Sequence, residues 1–439
     1  MTRPRLAIVF DHQQTAKVPF VVLAGALETD PETAAVPLDF VTRQRSLPEA
    51  LRACRAERVL VCWSFYSPEL PARQAALAAA REALRAAGEA DVGPDARVVH
   101  VAGGVHASAE PLETLRAGFD LAVVGEGEQA FVDLVRALLR GDDPRAVRGV
   151  ASLRAPDDPR GPLATTGRAP PIDLEAWPPF APAHRRMGPI ELTRGCIYAC
   201  GFCQTPFLHR ARFRHRSVET VTRWVAVQKE AGYRDYRFLT PTSLSYGSDG
   251  PEPDLHALDR LLAAVRGVVG REGRLYYGTF PSECRPEHVT PEALRVLARW
   301  VDNRSIIVGA QSGSERVLAR VHRGHGVAEV ERAVRVALAE GFEPHVDFLL
   351  GLPGEEEADL AATLALAERL ADLGARVHGH TFMPLPGTPL RDAPPGQLAP
   401  ATRQRLDRLA ARGRLYGQWR AQERTATALA ARRPGPARA

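Results

Sequence analysis

The chain has 439 residues, 45% hydrophobic and 25% charged, with 36 Gly and 36 Pro; that is too much chain for one ordinary core and implies two or three globular domains. Its net charge is only +5, and just two of its 57 basic residues are lysine, Lys17 and Lys229, interspersed with acids rather than gathered into a nucleic-acid footprint. No run approaches the roughly eighteen apolar residues of a membrane span. The start, "MTRPRLAIVFDHQQ", lacks the apolar core and cleavage site of a signal peptide, so a cytoplasmic location is expected with neither membrane nor nucleic acid as partner.

Over residues 1–150, short β-branched runs alternate with alanine-rich helical stretches. Strands are expected at 5–10, 37–41, 58–65, 97–104 and 121–127, with helices that include 71–88 and 128–141. Five such units specify an α/β fold, a doubly wound, Rossmann-like parallel sheet, with ligands beyond the carboxyl ends of its strands. Those ends read "FDHQQT", "WSFYSP", "GGVHAS" and "GEGE". Residues 151–187 are rich in Pro, Gly and Ala and read as an interdomain linker. Alternation resumes over 188–390, with strands at 189–193, 235–241, 274–280, 304–310, 344–350 and 376–383. Helices are expected at 217–231, 255–268, 291–300, 327–341 and 356–373. Six β/α units on some 200 residues fit a partial TIM-like barrel. Residues 391–439 read as a helical segment ending in the frayed basic tail "AARRPGPARA".

Of the six cysteines, Cys54, Cys62 and Cys284 stand alone and are expected to be buried or inert. Cys196, Cys200 and Cys203 crowd into "ELTRGCIYACGFCQTPF", just after the first strand of the second domain, where barrel active sites lie. Thiolates this close are metal ligands, of zinc or of an iron–sulfur cluster. A zinc site would need a fourth ligand, for which His209 and His215 are the nearest histidines, but the paired C-x2-C knuckle is missing. Three ligands without an obvious fourth describe a four-iron cluster with one iron open.

C-x3-C-x2-C with the aromatic Phe202 before the last cysteine resembles the radical S-adenosylmethionine (radical SAM) enzymes. The resemblance implies a [4Fe-4S] cluster on the three cysteines and S-adenosylmethionine on the open iron, cleaved on reduction to a 5′-deoxyadenosyl radical. "VGAQSGSERVLARVHRGH" (308–325) resembles the family's fourth-strand segment, which would put Gln311 and Ser312 at the ribose and Arg316 on the carboxylate. "VDFLLGLPGEEEADL" (346–360) resembles the fifth, with Gly351 and Gly354 giving room for the adenine and Glu355 to Glu357 opening a helix against its dipole. The family's Gly-Gly-Glu run is absent; "FLTPTSLSYGSDG" offers Thr240 and Thr242 for the methionyl amine instead. Glu283 and Arg285 either contact the cofactor or substrate or pair with each other. His378 and His380 either face the barrel mouth or are satisfied core histidines; Met383 follows them.

Residues 101–138 resemble the cobalamin-binding domain that precedes many such barrels. By that resemblance Gly103 and Gly104 let the corrinoid tail pass, Ser64 offers it a hydroxyl, and Gly125, Glu126 and Gly127 close the pocket. Asp11 and His12 are adjacent, without the Asp-x-His-x-x-Gly spacing of a cobalt-ligating loop, so a base-off cobalamin without a protein histidine ligand is expected. Together these features imply a cobalamin-dependent radical SAM methyltransferase acting on an unactivated carbon of a small, natural-product-like substrate, with a flavodoxin or ferredoxin as reductant. The alternatives are a radical rearrangement, cyclisation or oxidation without methyl transfer, and a non-catalytic metal-binding regulatory protein.

Overall fold

Every residue of β1 (Leu6–Asp11) is buried, as a strand covered by helices on both faces requires. The computed structural model describes residues 3–13, 17–42, 45–90, 96–155, 158 and 160–432. In it, β1 belongs to a seven-stranded sheet with β2 (Leu38–Val41), β3 (Arg58–Ser64), β4 (Val98–Gly103), β5 (Leu121–Val123), β6 (Val150–Leu153) and β7 (Leu163–Thr165), in the order 2-1-3-4-5-6-7. The first five run parallel. Successive side chains feed opposite cores. Ile8, Phe10, Leu60 and Cys62 pack with Phe20 and Phe131 on one face; Ala7, Val9, Val61 and Trp63 pack with Leu77 and Phe119 on the other. The doubly wound expectation holds, and the neighbour order reverses between β1 and β3, the switch point where such sheets bind ligands. Part of the loop after β1, residues 14–16, lies outside the described residues.

The linker expected at 151–187 is corrected. β6 and β7 extend the sheet by antiparallel pairing, and the first compact unit runs to Gly188. All four β6 side chains are buried, and Ala169, Ile172, Phe180 and Ala181 are buried as well. The prolines and glycines between them turn the chain back onto its own domain. The contact is close: a Cβ on Gly25 would lie 2.2 Å from the carbonyl oxygen of Phe180.

The second unit, Pro189–Ala439, sets its parallel strands in chain order. β8 (Ile190–Glu191) is followed by a short antiparallel pair, β9 (Thr193–Arg194) with β10 (Arg214–His215). β8 pairs with β12 (Phe238–Leu239), and β11 (Asp235–Tyr236) pairs with β13 (Arg274–Leu275). β14 (Ser305–Gln311), β15 (Glu343–Leu350), β16 (Arg376–Thr381) and β17 (Leu415–Gly417) form one sheet. Only 274–275 of the strand expected at 274–280 is regular; the chain then reaches β14 through Gly278 O, which accepts from Ile307 N, and a bridge between Cys284 and Val308. The expected helices appear as Val218–Glu230, Leu255–Val269, Pro291–Trp300, Val327–Ala339 and Glu357–Leu373.

The six expected strands are joined by a seventh, β17, from the stretch read as purely helical. It pairs with β16 between the helices Pro400–Ala411 and Trp419–Ala431, and Leu406, Leu409, Leu415 and Trp419 join the barrel core. A three-residue strand is too short to show an alternation in sequence. The tail, 433–439, lies outside the described residues. Among those described, no helix is long and apolar enough to cross a membrane.

Candidate active site

The cysteine loop is folded by its own backbone. Gly195 adopts φ +81°, and a Cβ there would stand 2.1 Å from Arg212 O, so only glycine lets the chain turn this tightly against 209–212. Cys196 N donates to Arg210 O, Gly201 N to Val321 O and Cys203 N to Cys200 O, at 3.3, 2.9 and 3.0 Å. Ala199 holds a left-handed φ of +50°. The loop thereby aims Cys196, Cys200 and Cys203 into one cavity of ≈ 310 Å³, the low end of small-molecule pockets. Phe202, Thr240, Thr242, Tyr198, Glu283, Arg285, Arg323 and Asp347 share its wall.

Burial, with the neighbouring thiols adding to it, pushes the Cys196 thiol up to about 11, and burial raises Cys203 too. Free thiols here resist ionisation; a bound cation supplies the charge that makes them thiolates. The donor set therefore fits a metal cluster. Arg323, 5% exposed, reaches Cys200 Sγ at 3.6 Å and donates to Gly309 O at 2.7 Å and to His325 Nε2 at 3.0 Å, with Glu283 at 3.8 Å. Gly309 makes the space: a Cβ there would fall 2.6 Å from Arg323 Nη2, 2.9 Å from Gln311 Nε2 and 3.0 Å from Glu283 Oε2. Gln311 thus joins the polar group beside the cysteines, on a φ of +70°.

Thr240 and Thr242 line the cavity beside the cysteines. The Thr240 hydroxyl donates to Thr242 O at 3.1 Å, whereas Thr242 Oγ1 is buried without a protein partner. An orphaned hydroxyl in the cavity wall is what a polar ligand group such as an amine would satisfy. Glu283 and Arg285 do not pair with each other. Arg285 pairs with Glu287 and lies 3.5 Å from the Tyr198 ring centroid.

Four residues expected at the cofactor meet other parts of the chain instead. Arg316 sits on the short helix Glu315–Arg320, nearly half exposed, bound to Asp359 and Glu356 instead of the cavity. Ser312 is fully buried with its hydroxyl 3.1 Å from that of Thr363. Gly351 does permit a close backbone approach, but the neighbour is the chain itself: a Cβ would meet Gly396 Cα at 2.8 Å. Gly354 likewise makes room for Arg320. Glu356 and Glu357 open the helix Glu357–Leu373 as expected, while Glu355 turns back to accept Gly351 N–H at 2.7 Å. Arg323, Gly309 and Asp347 were not singled out by the sequence.

In the first unit, Ser64 and Gly104 meet at the ends of β3 and β4. Gly104 has φ +85°, and a Cβ would press to 2.6 Å from Ser64 Oγ; Gly103 beside it has nothing nearer than 3.9 Å. Gly125, Glu126 and Gly127 do different work from a pocket edge. Gly125 passes Arg168 and Ala169, Glu126 accepts from Ile172 N at 2.9 Å, and Gly127 packs on Leu23. Gly125 and Glu126 thereby tie down the segment that follows β7. His12 is buried against Phe20 and Phe40 with Nε2 unbonded.

Residues 190–367 match the Radical SAM superfamily. An uncharacterized protein of Methanopyrus kandleri is 24% identical over 66% of this chain and 61% of its own. A tRNA-2-methylthio-N(6)-dimethylallyladenosine synthase of Alkalilimnicola ehrlichii is 32% identical over 52% of this chain and 50% of its own, so the chain spans about half of that relative's length. The solved structure of the radical S-adenosylmethionine methyltransferase TsrM from Kitasatospora setae, with cobalamin and a [4Fe-4S] cluster bound, superposes with TM-score 0.65 at 19% identity, over 89% of this chain and 77% of its own. The cobalamin-dependent S-adenosylmethionine radical enzyme OxsB superposes with TM-score 0.63 at 15% identity, over 85% and 53%. Residues 190–367 thus form a radical SAM domain, and the chain as a whole has the fold seen in the structures of TsrM and OxsB.

Proposed function

We propose that this protein is a cobalamin-dependent radical SAM methyltransferase that places a methyl group on an unactivated carbon of a small molecule. The observation that carries the reading is the convergence of Cys196, Cys200 and Cys203 on one cavity with an orphaned Thr242 hydroxyl and the Arg323–Glu283 pair, in a chain whose fold matches TsrM along 89% of its length. When bound, cluster and S-adenosylmethionine supply a 5′-deoxyadenosyl radical and cobalamin the methyl group. The chain's own residues do the holding. The three cysteines ligate the cluster, Arg323 keeps a cation beside the Cys200 sulfur, and Thr242 offers its hydroxyl to the cofactor amine. Beyond the carboxyl ends of β3 and β4, Ser64 and the open side of Gly103 form the cobalamin contact, and the base-off state follows from the spacing at Asp11–His12. A small-molecule substrate, a flavodoxin or ferredoxin donor and a cytoplasmic location belong to the same reading.

A second reading, methylthio transfer to tRNA, is favoured by the 32% identity to the A. ehrlichii synthase. Cobalamin dependence separates the two. Anaerobic, reconstituted protein is given S-adenosylmethionine and a reductant, with and without cobalamin, and products are read by LC–MS. S-adenosylhomocysteine and 5′-deoxyadenosine that both require cobalamin support the proposal. Products indifferent to cobalamin support the second reading, and 5′-deoxyadenosine from a Cys200→Ala variant sinks both.

A further inference from the structure

Beyond the cysteines, the barrel carries a second convergence of donor atoms. Along β15 and β16 side chains alternate: Val346, Phe348, Val377 and Thr381 are buried, the first three packed with the helices, while Asp347, His378 and His380 point the other way. Register sets Asp347 opposite His378. His378 Nδ1 lies 2.9 Å from Asp347 Oδ1 and 3.1 Å from His380 Nε2, and all three atoms fall within 4.8 Å of one another. With bonds of about 2.0–2.2 Å to a transition metal, adjacent ligands of an octahedron stand about 3 Å apart. The spacing is that of a coordination edge.

Hydrogen bonds cannot satisfy this group. Thr381 N donates to Gln422 Oε1 at 3.0 Å, which turns the Gln422 amide nitrogen to His380 Nδ1 at 3.1 Å. The hydrogen of neutral His380 is then on Nε2, aimed at His378 Nδ1. That nitrogen cannot accept it and also donate to Asp347, so two lone pairs face each other. One dication would take all three. The rings are also held in place: His378 stacks on Tyr416 at 4.4 Å and 9°, and the Tyr416 hydroxyl meets His345 Nδ1 at 2.8 Å. Asp347 lines the cavity of the cysteines, which leaves the remaining positions of a bound ion on the cavity side.

We propose that Asp347, His378 and His380 form a site for a divalent transition metal of the zinc or ferrous class, separate from the cysteine cluster. Two imidazoles and one carboxylate are the ligand set such ions take. Loading moves the remaining His380 hydrogen to Nδ1, against the Gln422 amide nitrogen that Thr381 N–H holds there; a carboxylate at position 422 would supply the outer partner that metal-bound histidines use.

The test uses the full-length chain carrying C196S, C200S and C203S, so that thiolates do not compete and the result is independent of the radical chemistry. Zinc is applied by equilibrium dialysis and counted per chain by mass spectrometry, with circular dichroism checking the fold. One zinc per chain is expected at about 10 µM free ion, with D347N and H380Q each weakening binding about 100-fold. Q422E accepts the His380 Nδ1 hydrogen with one oxygen and Thr381 N–H with the other, and tightens binding about tenfold; this variant carries the test if D347N fails to fold. No zinc at that concentration, or zinc retained equally by D347N and H380Q, overturns the site.

Discussion

Replacing Arg323 by Met removes the only cation placed within 4 Å of Glu283 among the described residues and strips Gly309 O of its 2.7 Å donor. Breaking a fully buried ion pair from one side costs about 3–5 kcal/mol. Glu283 keeps 33% of its side chain exposed and stands 3.8 Å away, so solvent offsets part of the loss and about 2–3 kcal/mol is expected. In a unit of this size that is a fall of about 5–10 °C in Tm. The pH dependence is more diagnostic. Burial already raises the Glu283 carboxyl, against the lowering influence of Arg323, so loss of Arg323 raises it further. An acid with a raised folded pKa binds more protons folded than unfolded, and stability falls as pH rises toward that pKa. The deficit of R323M should therefore be small at about pH 5 and full at about pH 8, and E283Q/R323M should lose this slope. Thermal unfolding of cluster-free protein at the two pH values measures it. A deficit of the same size at both, unrelieved by E283Q, would refute the pairing.

Gly195→Ala forces a Cβ to 2.1 Å from Arg212 O at φ +81°; the left-handed backbone alone costs about 1–2 kcal/mol, and iron and sulfide per chain after reconstitution should fall by half or more. Undiminished cluster content would show that the loop does not depend on this turn. Glu355, raised from 4.5 to about 7 by burial, makes the wild-type chain less stable as pH climbs through that window, by up to about 3 kcal/mol. Glu355→Gln keeps an acceptor for Gly351 N–H and should be flatter and more stable than wild type at pH above 7 in thermal unfolding. An unchanged slope between the two chains would remove Glu355 as its source.

What could be read from the sequence was local. Cys196, Cys200 and Cys203 stand within eight residues, so their grouping survives any placement of the loop. The run "RLAIVF" needs helices on both faces wherever it lies, and β1 indeed supplies Ile8 and Phe10 to one core and Ala7 and Val9 to the other. The misreadings occurred where a short segment is defined by a distant partner. β6 and β7 are strands because β5 offers an edge, and β17 because β16 does; neither carries enough residues to show a period of two.

Arg316 and Arg323 make the same point within one segment. Seven residues apart in "SERVLARVHRGH", they are equally good guanidinium candidates by composition. The helix Glu315–Arg320 is capped by Ser314, whose side chain also donates to Asp359 at 2.6 Å. That anchor fixes the helix so that Arg316 meets Asp359, and the carboxyl of Asp359 is held down to about 2 by that contact. The chain then leaves the helix through His322, at a left-handed φ of +54°, and this turn carries Arg323 back to Gly309 O and the Cys200 sulfur. Which arginine serves the site is thus decided by a cap and a turn. An Asp359→Ala variant would not bring Arg316 to the cavity, because Glu356 and the carbonyl of Gly354 still hold its guanidinium where it is.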